Sequence, residues 1–375
     1  MNKIDTDHGH EILTGDSLAY LKMLPDECVD LVFCSPPYED ARTYGIGFNQ
    51  KGEGWVQWAM ERYVECVRVS RGLVAWVIEG KTRKFQWTST PALLMADLHR
   101  RGIKLRKPPV FHRVGIPGSG GPDWLRNDYE FIVCASKGKL PWSDNTAMGH
   151  TPKWAPGGAM SHRTGSGRRV NQWGHSIKSG GTIKRKDGTV RSCGPRKSHT
   201  EASPYSAPAK ANPGNVLKMV VGGNLLGSKL AHDNEAPFPE KLAEFFIRSF
   251  CPPGGIVLDI FGGSGTTLAA AHLADRICWS VDIRESQSEL THRRYLEAVE
   301  RKNAHSSQEA VNEASTEGSE GTEVLHADAG GDPSAVRSDS CELGRTHRED
   351  APHPEDSTRR SDAAPNASTD HFQLI

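Results

Sequence analysis

Residues 256–282 constrain the fold more than any other stretch. Ile256-Val257-Leu258-Asp259 is an apolar run of strand length that enters the turn Phe261-Gly262-Gly263-Ser264-Gly265-Thr266. Positions 266–274 then read as a helix, and Ile277-Cys278-Trp279-Ser280-Val281 as a second strand ending in Asp282. Strand, glycine turn, helix and strand in one unit imply two parallel strands joined by a crossover. Glycines let the backbone approach a ligand, and N–H groups at a helix start favour an anionic group. A carboxylate about twenty residues further on is placed to accept from ribose hydroxyls.

The dinucleotide fingerprint does not fit. From Gly263 the pattern is Gly263-Ser264-Gly265-Thr266-Thr267-Leu268, so its third glycine is absent. Asp259 ends the first strand and is expected to face the pocket that a cofactor's charged end would occupy. A carboxylate there repels pyrophosphate and attracts an ammonium or sulfonium. The chemistry favours S-adenosyl-L-methionine over a nicotinamide cofactor.

A second motif lies far upstream. Ser35-Pro36-Pro37-Tyr38 follows the apolar run Asp30-Leu31-Val32-Phe33-Cys34, where a buried strand would end. Two prolines hold the backbone extended and remove two N–H donors, leaving carbonyls free to accept. With a hydroxyl before them and an aromatic ring after, such a loop suits gripping an exocyclic amino group. Alone, it reads equally well as a strand-end turn.

The two motifs together resemble the amino-directed DNA methyltransferases of the permuted β group, in which the catalytic motif precedes the cofactor motif. Ser35-Pro36-Pro37-Tyr38 matches that family's catalytic loop, and residues 259–265 match its cofactor loop. Gly15-Asp16 resembles the family's contact to the cofactor adenine, and Asp282 its ribose-binding acid. Phe238-Pro239-Glu240-Lys241-Leu242 resembles the element closing over the methionine part. The similarity covers roughly residues 10–300.

The resemblance implies a doubly wound, mostly parallel α/β sheet of seven strands with one antiparallel edge strand. It implies S-adenosyl-L-methionine as cofactor, held by Asp16, Pro239, Asp259, Phe261, Gly262, Gly263, Ser264, Gly265, Thr266 and Asp282. The partner implied is double-stranded DNA, with the target base swung out and stacked on Tyr38. Ser35 Oγ and the Pro36 carbonyl would hold the amine's protons, and no metal is required. The resemblance admits a partner restriction endonuclease and leaves the oligomeric state open.

Ser at position 35 resembles the N4-cytosine enzymes, which favours cytosine N4, with adenine N6 as the alternative. Cys34 departs from the Thr often found there in N4-cytosine enzymes. C5-cytosine methylation needs a Pro-Cys dipeptide, and the chain has none. RNA and protein-glutamine methyltransferases with a Pro-Pro-Tyr loop usually place the cofactor motif first. A silent DNA-binding module would have no need of both loops.

Charge divides the chain further. The net charge is zero, yet residues 138–215 hold 13 Lys and Arg against 3 Asp and Glu, and residues 303–375 hold 5 against 15. The basic stretch interleaves Trp142, Trp154, Trp173 and Tyr205 with Arg168-Arg169, Lys184-Arg185-Lys186 and Arg196-Lys197, side chains that suit phosphates and grooves. Its place between the two motif-bearing halves is where the β group carries target recognition. The expected organisation is a catalytic half at 1–137, a basic target-recognition insert at 138–215, a cofactor-binding half at 216–302 and a disordered acidic tail at 303–375.

Helices are expected at 18–24, 55–69 and 91–100, and strands at 72–78 and 129–135, with 215–221 returning the chain to the core. Glu39-Asp40 and Arg42 are expected to order the catalytic loop or meet solvent, with contact to the target strand as the alternative. Gly118-Ser119-Gly120-Gly121-Pro122 reads as a flexible surface loop near the DNA cleft, with a phosphate cradle as the alternative. His232 and Glu235 read either as loop residues or as lining of the methionine pocket, and Cys193 with His199 lacks the two further ligands a metal needs. Eight scattered cysteines form no CxxC pair, no apolar run approaches the length that spans a membrane, and the residues from Met1 to Thr6 are expected not to act as a signal peptide, lacking its apolar core. A cytoplasmic enzyme of a bacterial cell or phage-infected host is the expectation.

Overall fold

The computed structural model describes residues 1–39, 47–115, 125–151, 210–221, 226–234 and 236–317, and the backbone of two short strands at 182–184 and 190–192. Asp40, Arg42, residues 118–122, Trp154, Trp173, Cys193, His199, Tyr205, Glu235 and the tail past 317 lie outside the described residues. In chain order the elements are β1 (Asn2–Asp5), β2 (Glu11–Thr14), α1 (Ser17–Met23), β3 (Val29–Cys34), α2 (Gly52–Val69), β4 (Ser70–Ile78), β5 (Thr82–Arg83), β6 (Gln86–Trp87), α3 (Thr90–Arg100), β7 (Leu105–Arg106), β8 (Val110–Val114), β9 (Tyr129–Ala135), β10 (Thr182–Lys184), β11 (Val190–Ser192), β12 (Val216–Val220), α4 (Glu240–Phe250), β13 (Ile256–Asp259), α5 (Thr266–Leu273), β14 (Ile277–Asp282) and α6 (Glu285–Glu317).

The main sheet has the order β1-β2-β14-β13-β3-β4-β9-β8-β12, with β7 also paired to β9. From β2 to β4 all neighbours are parallel, and β13 joins the two motif-bearing segments by pairing with β3 through Val257↔Leu31 and Leu258↔Val32. The sheet has ten strands instead of seven. Its antiparallel strand β9 is interior, between β4 and β8, while β1 forms an antiparallel edge.

Alternation along β3 and β4 builds two cores. Val32, Cys34, Val74, Trp76 and Ile78 pack with Trp55, Tyr63 and Leu94 of α2 and α3, whereas Leu31, Phe33, Leu73, Ala75 and Val77 pack with Leu242, Phe246 and Leu268 of α4 and α5. Both faces of the sheet are thus covered by helices. At the start of β4 the packing leaves no room for a side chain: a Cβ on Gly72 would lie 1.9 Å from the Asp30 carbonyl oxygen, beside the irregularity between Val29 and Leu31.

One boundary differs from expectation, and the insert is anchored on the core. α6 continues to Glu317, so the boundary at 303 falls inside a helix. Both ends of the basic insert pack on the last turns of α4: Asp144 N–H donates to the Ser249 carbonyl at 2.9 Å, and Asn145 and Asn212 share a cavity with Phe245 and Phe250. This roots the insert beside the amino end of β13, the strand whose carboxyl end carries the glycine turn. Among the described residues, no helix is long and apolar enough to cross a membrane.

Candidate active site

The carboxyl ends of β2, β3, β13 and β14 open on one cleft. It lies where the chain order of the parallel strands reverses, the usual ligand position in an open α/β sheet. One wall is Ser35, Pro36, Pro37 and Tyr38; another is Ile260, Phe261 and Gly263. Asp282, Ile283 and Arg284 leave β14, and Gly15, Asp16 and Ser17 leave β2, to complete it with Phe48, Trp58 and Arg62. Segments more than two hundred positions apart therefore meet in a shared space.

The proline loop is tied down along its length. Ser35 Oγ donates to the Val77 carbonyl at 3.0 Å, and Trp55 Nε1 donates to the Pro37 carbonyl at 2.9 Å. The Tyr38 hydroxyl donates to Glu130 Oε2 at 2.9 Å, and the other Glu130 oxygen is 3.0 Å from Arg113 Nη1. Glu39 is buried and accepts from Gly52 N–H at 2.9 Å, which fastens the loop to the start of α2. Cys34, immediately before the loop, is fully buried; burial raises its thiol well above the ordinary value, so it offers no thiolate.

The glycine turn is shaped by close approach. Gly262 N–H donates to the Val281 carbonyl at 2.8 Å, and a Cβ there would lie 2.2 Å from Ser280 Oγ. Gly263 has φ +52° and donates to Asp282 Oδ2 at 3.0 Å; Gly265 has φ +75° at the start of α5. Ser264 and Thr266 are buried and face Arg294 of α6, whose Nη1 donates to Thr266 Oγ1 at 3.0 Å. Of the residues expected to hold a cofactor, Asp16, Phe261, Gly263 and Asp282 line the cleft, while Gly262, Ser264, Gly265 and Thr266 stand behind it.

Asp259 corrects an expectation. It is only 2% exposed and does not line the cleft; Oδ1 instead accepts from Phe261 N–H at 3.0 Å, inside the turn. Burial pushes its pKa up to about 7, with the nearby Asp282 charge acting in the same direction and the Phe261 hydrogen bond opposing it. The carboxylate buttresses the turn from behind because solvating it inward, on the turn's own N–H, is cheaper than leaving it against the apolar strand ends. Pro239 is likewise off the wall, capping α4, while Phe238 packs edge-on against Phe33 at 5.5 Å. His232 does not line the cleft either; Asn234 and Ala236 do.

Several lining residues escape sequence reasoning. Arg62 is buried, ion-paired to Asp16 at 3.0 Å, bonded to Ser17 Oγ at 3.0 Å and stacked 4.4 Å over the Trp58 ring. Asp16 also caps α1 by accepting from Ala19 N–H at 2.9 Å. Trp58 in turn packs on Phe48 and Phe261, giving the cleft an aromatic floor. The available signal was the spacing of Trp58 and Arg62, one turn apart on the buried side of α2. Among the described residues, no group of three or more His, Cys, Asp and Glu is arranged to hold a metal ion.

Comparison with known proteins agrees with this geometry. The family model described as "DNA methylase", of the N6/N4 methyltransferase type, matches residues 29–293. The chain is 28% identical over 275 residues to the orphan methyltransferase M.BamHII of Bacillus amyloliquefaciens, covering 72% of this chain and 89% of that one. It is 26% identical over 286 residues to the DNA adenine methyltransferase YhdJ of Escherichia coli, covering 76% and 81%. The fold is similar to that of the cytosine-N4-specific PvuII DNA methyltransferase, with a TM-score of 0.50 and 20% identity over 75% of this chain and 84% of that one. The chain belongs to the N6/N4 DNA methylase family, enzymes that take their methyl group from S-adenosyl-L-methionine.

Proposed function

We propose that this enzyme transfers a methyl group to the exocyclic amino group of a base swung out of double-stranded DNA, with cytosine N4 as the favoured acceptor. The observation that carries the reading is the shared cleft, lined by the Ser35–Tyr38 loop together with Phe261, Gly263, Asp282 and Asp16.

The residues present fit S-adenosyl-L-methionine. Gly263 has no side chain where a Cβ would stand 2.9 Å from Asn234 Nδ2, so the backbone itself forms the cleft wall. Asp282 lines the cleft and accepts from the Gly263 and Arg284 N–H groups, which hold its carboxylate at the strand end where a ribose would lie. Asp16, oriented by Arg62, and the rings of Trp58 and Phe261 suit an adenine. When bound, the cofactor supplies an electrophilic methyl group on a sulfonium.

The chain's contribution is positioning and fixed dipoles. Swinging a base from the duplex costs a few kcal/mol, and stacking on Tyr38 would return about 1–3 kcal/mol. Ser35 directs its proton to the Val77 carbonyl, which turns the oxygen's lone pairs outward to accept from the amine. An amine so held is drawn toward the pyramidal geometry that attack requires. The Glu130 carboxylate, itself held by Arg113, fixes the Tyr38 ring before a base arrives.

Two observations bear on the base. Ser35 favours cytosine, and the likeness to an adenine methyltransferase over 76% of the chain supports adenine as the second reading. Duplex DNA incubated with the enzyme and labelled methyl donor, then digested for nucleoside mass spectrometry, separates them. N4-methylcytosine is expected, N6-methyladenine would move the assignment to the second reading, and label confined to RNA or protein would overturn both.

A further inference from the structure

We propose that the hairpin β5–β6 is a wedge for duplex DNA, its Phe85 ring entering the base stack where the displaced target base leaves a gap. The inference rests on the DNA reading above and names the element that opens the duplex.

Position comes first. The Val77 carbonyl that accepts from Ser35 lies near the end of β4, and the hairpin begins five residues later, at the same end of the sheet as the cleft. Its root is rigid. Thr82 pairs with Trp87 and Arg83 with Gln86, and Thr88 N–H donates to the Lys81 carbonyl at 2.9 Å. Glu79, 8% exposed, accepts from both Gly80 N–H and Trp87 Nε1 at 2.8 and 2.9 Å. The indole lies so close over Gly80 that a Cβ there would be 2.5 Å from Nε1. Trp87 also packs against Phe131 of β9 at 6.2 Å.

The tip is the opposite of the root. Its two residues are Lys84 and Phe85, with φ of 48° and 64°. A two-residue turn with both φ positive favours Asn-Gly, because a side chain in the left-handed region is strained. Neither residue relieves that strain, and Phe85 stands 80% exposed outside both core clusters. A large ring held out on a strained turn has no folding rationale, and strain of this kind concentrates at functional sites. The sequence Lys81-Thr82-Arg83-Lys84-Phe85-Gln86-Trp87 carries three positive charges and no acid. Cationic flanks around a protruding apolar wedge match a phosphate-lined duplex whose bases can be parted by an inserted side chain.

The test begins by mapping the target site in DNA that the wild-type enzyme has methylated. Phe85→Ala and the double variant Lys84→Asn/Phe85→Gly are then compared with wild type. The double variant removes the ring while giving the turn the pair of residues its geometry prefers, so a defect common to both variants reports the ring and not a broken hairpin. Both are expected to bind S-adenosyl-L-methionine as wild type does. Single-turnover methyl transfer is measured on two duplexes carrying the site, one with the target base paired and one with it opposite an abasic position. Both variants should slow by about tenfold or more on the paired duplex and by less than about threefold on the abasic one, whose base is already unpaired. Equal slowing on both duplexes, or none on the paired one, overturns the wedge, as does a defect seen only in self-association. Failure of the wild-type enzyme to label any duplex DNA would instead overturn the DNA reading itself, and the wedge with it.

Discussion

Tyr38 and Asp282 both line the cleft, and the proposed mechanism gives them different work. Removing the ring with Tyr38→Ala is expected to lower turnover by about 5- to 150-fold, the equivalent of about 1–3 kcal/mol of lost base stacking. Affinity for S-adenosyl-L-methionine should stay within about twofold of wild type, since the proposed mechanism gives the ring to the target base. Asp282→Ala should do the reverse, weakening cofactor binding by titration calorimetry while the rate at saturating cofactor falls less. Equal cofactor-binding losses in the two variants would contradict this division. Tyr38→Phe keeps the ring but releases the Glu130 bond, so its turnover should fall between wild type and Tyr38→Ala. Residues such as Ser35, Tyr38 and Asp282 were legible because loop chemistry and strand ends are local features of a sequence. Arg62, Glu130 and Arg113 were not, because each acts through a partner distant in the chain or on a neighbouring strand that only the tertiary fold supplies, as with Arg62 and Asp16.

Elements with strong apolar patterning read directly from the chain: Tyr129–Ala135 matches the expected strand residue for residue, and α1, α2 and α3 differ from expectation by one to three residues at their ends. The β5–β6 hairpin did not, because two-residue strands carry no period to detect. β8 was also silent; its run Val110-Phe111-His112-Arg113-Val114 mixes charge with apolar residues because it meets Asp128 and Glu130 on one side. Helix runs on past 303 to Glu317, through a stretch whose one large apolar residue is Val311. A helix already nucleated on the core propagates cheaply through Ala, Glu and Gln, and the His305–Glu309 pair one turn apart supports it. The packed part of α6 has a second task. Arg294 is 1% exposed in its side chain and joins Thr266 at the glycine turn to Glu240 of α4 and the Leu226 carbonyl. Arg294→Leu is expected to cost about 3 kcal/mol in denaturant unfolding, toward the lower end for a broken buried pair because Glu240 keeps Arg301. It should also weaken cofactor binding, since the turn loses its backing; unchanged affinity would show that the turn holds its shape alone.

At the scale of the whole molecule, two properties follow from how distant segments are joined. The first is acid lability. His10 of the β1–β2 turn bonds His272 of α5 at 3.1 Å and accepts from Cys278 N–H of β14 at 2.9 Å, so protonating its Nδ1 would set two donors against each other. Burial lowers the pKa of His10 to about 3 and that of His272 to about 4. Both are depressed below the unfolded value near 6.5, so the unfolded chain takes up protons that the folded chain refuses. Stability should therefore fall as pH drops from about 6.5 toward 4, read as a declining Tm. His10→Asn, whose carbonyl oxygen can occupy the Nδ1 position, should flatten that decline; an unchanged slope would place the acid sensitivity elsewhere.

The second property concerns the basic insert. Its charge suits DNA, yet its described ends are rooted on the last turns of α4, and His150 and Ala211 close its base with a reciprocal pair of backbone hydrogen bonds at 3.4 and 2.8 Å. A chain segment that leaves and returns through one closed stem can be shortened without pulling on the sheet. Replacing residues 152–209 by a short Gly-Ser linker should therefore leave the fold and cofactor affinity intact, because the described residues that line the cleft all come from other parts of the chain. Most of the insert's positive charge goes with it, so affinity for duplex DNA should drop. The dependence of that affinity on salt should become shallower, by about 0.9 in log–log slope for each phosphate no longer neutralised. A mobility-shift titration at several salt concentrations measures both. If affinity falls with the slope unchanged, the insert reads base edges more than backbone. If neither changes, DNA is held by the cleft-side elements alone, and the charge of the insert serves another partner.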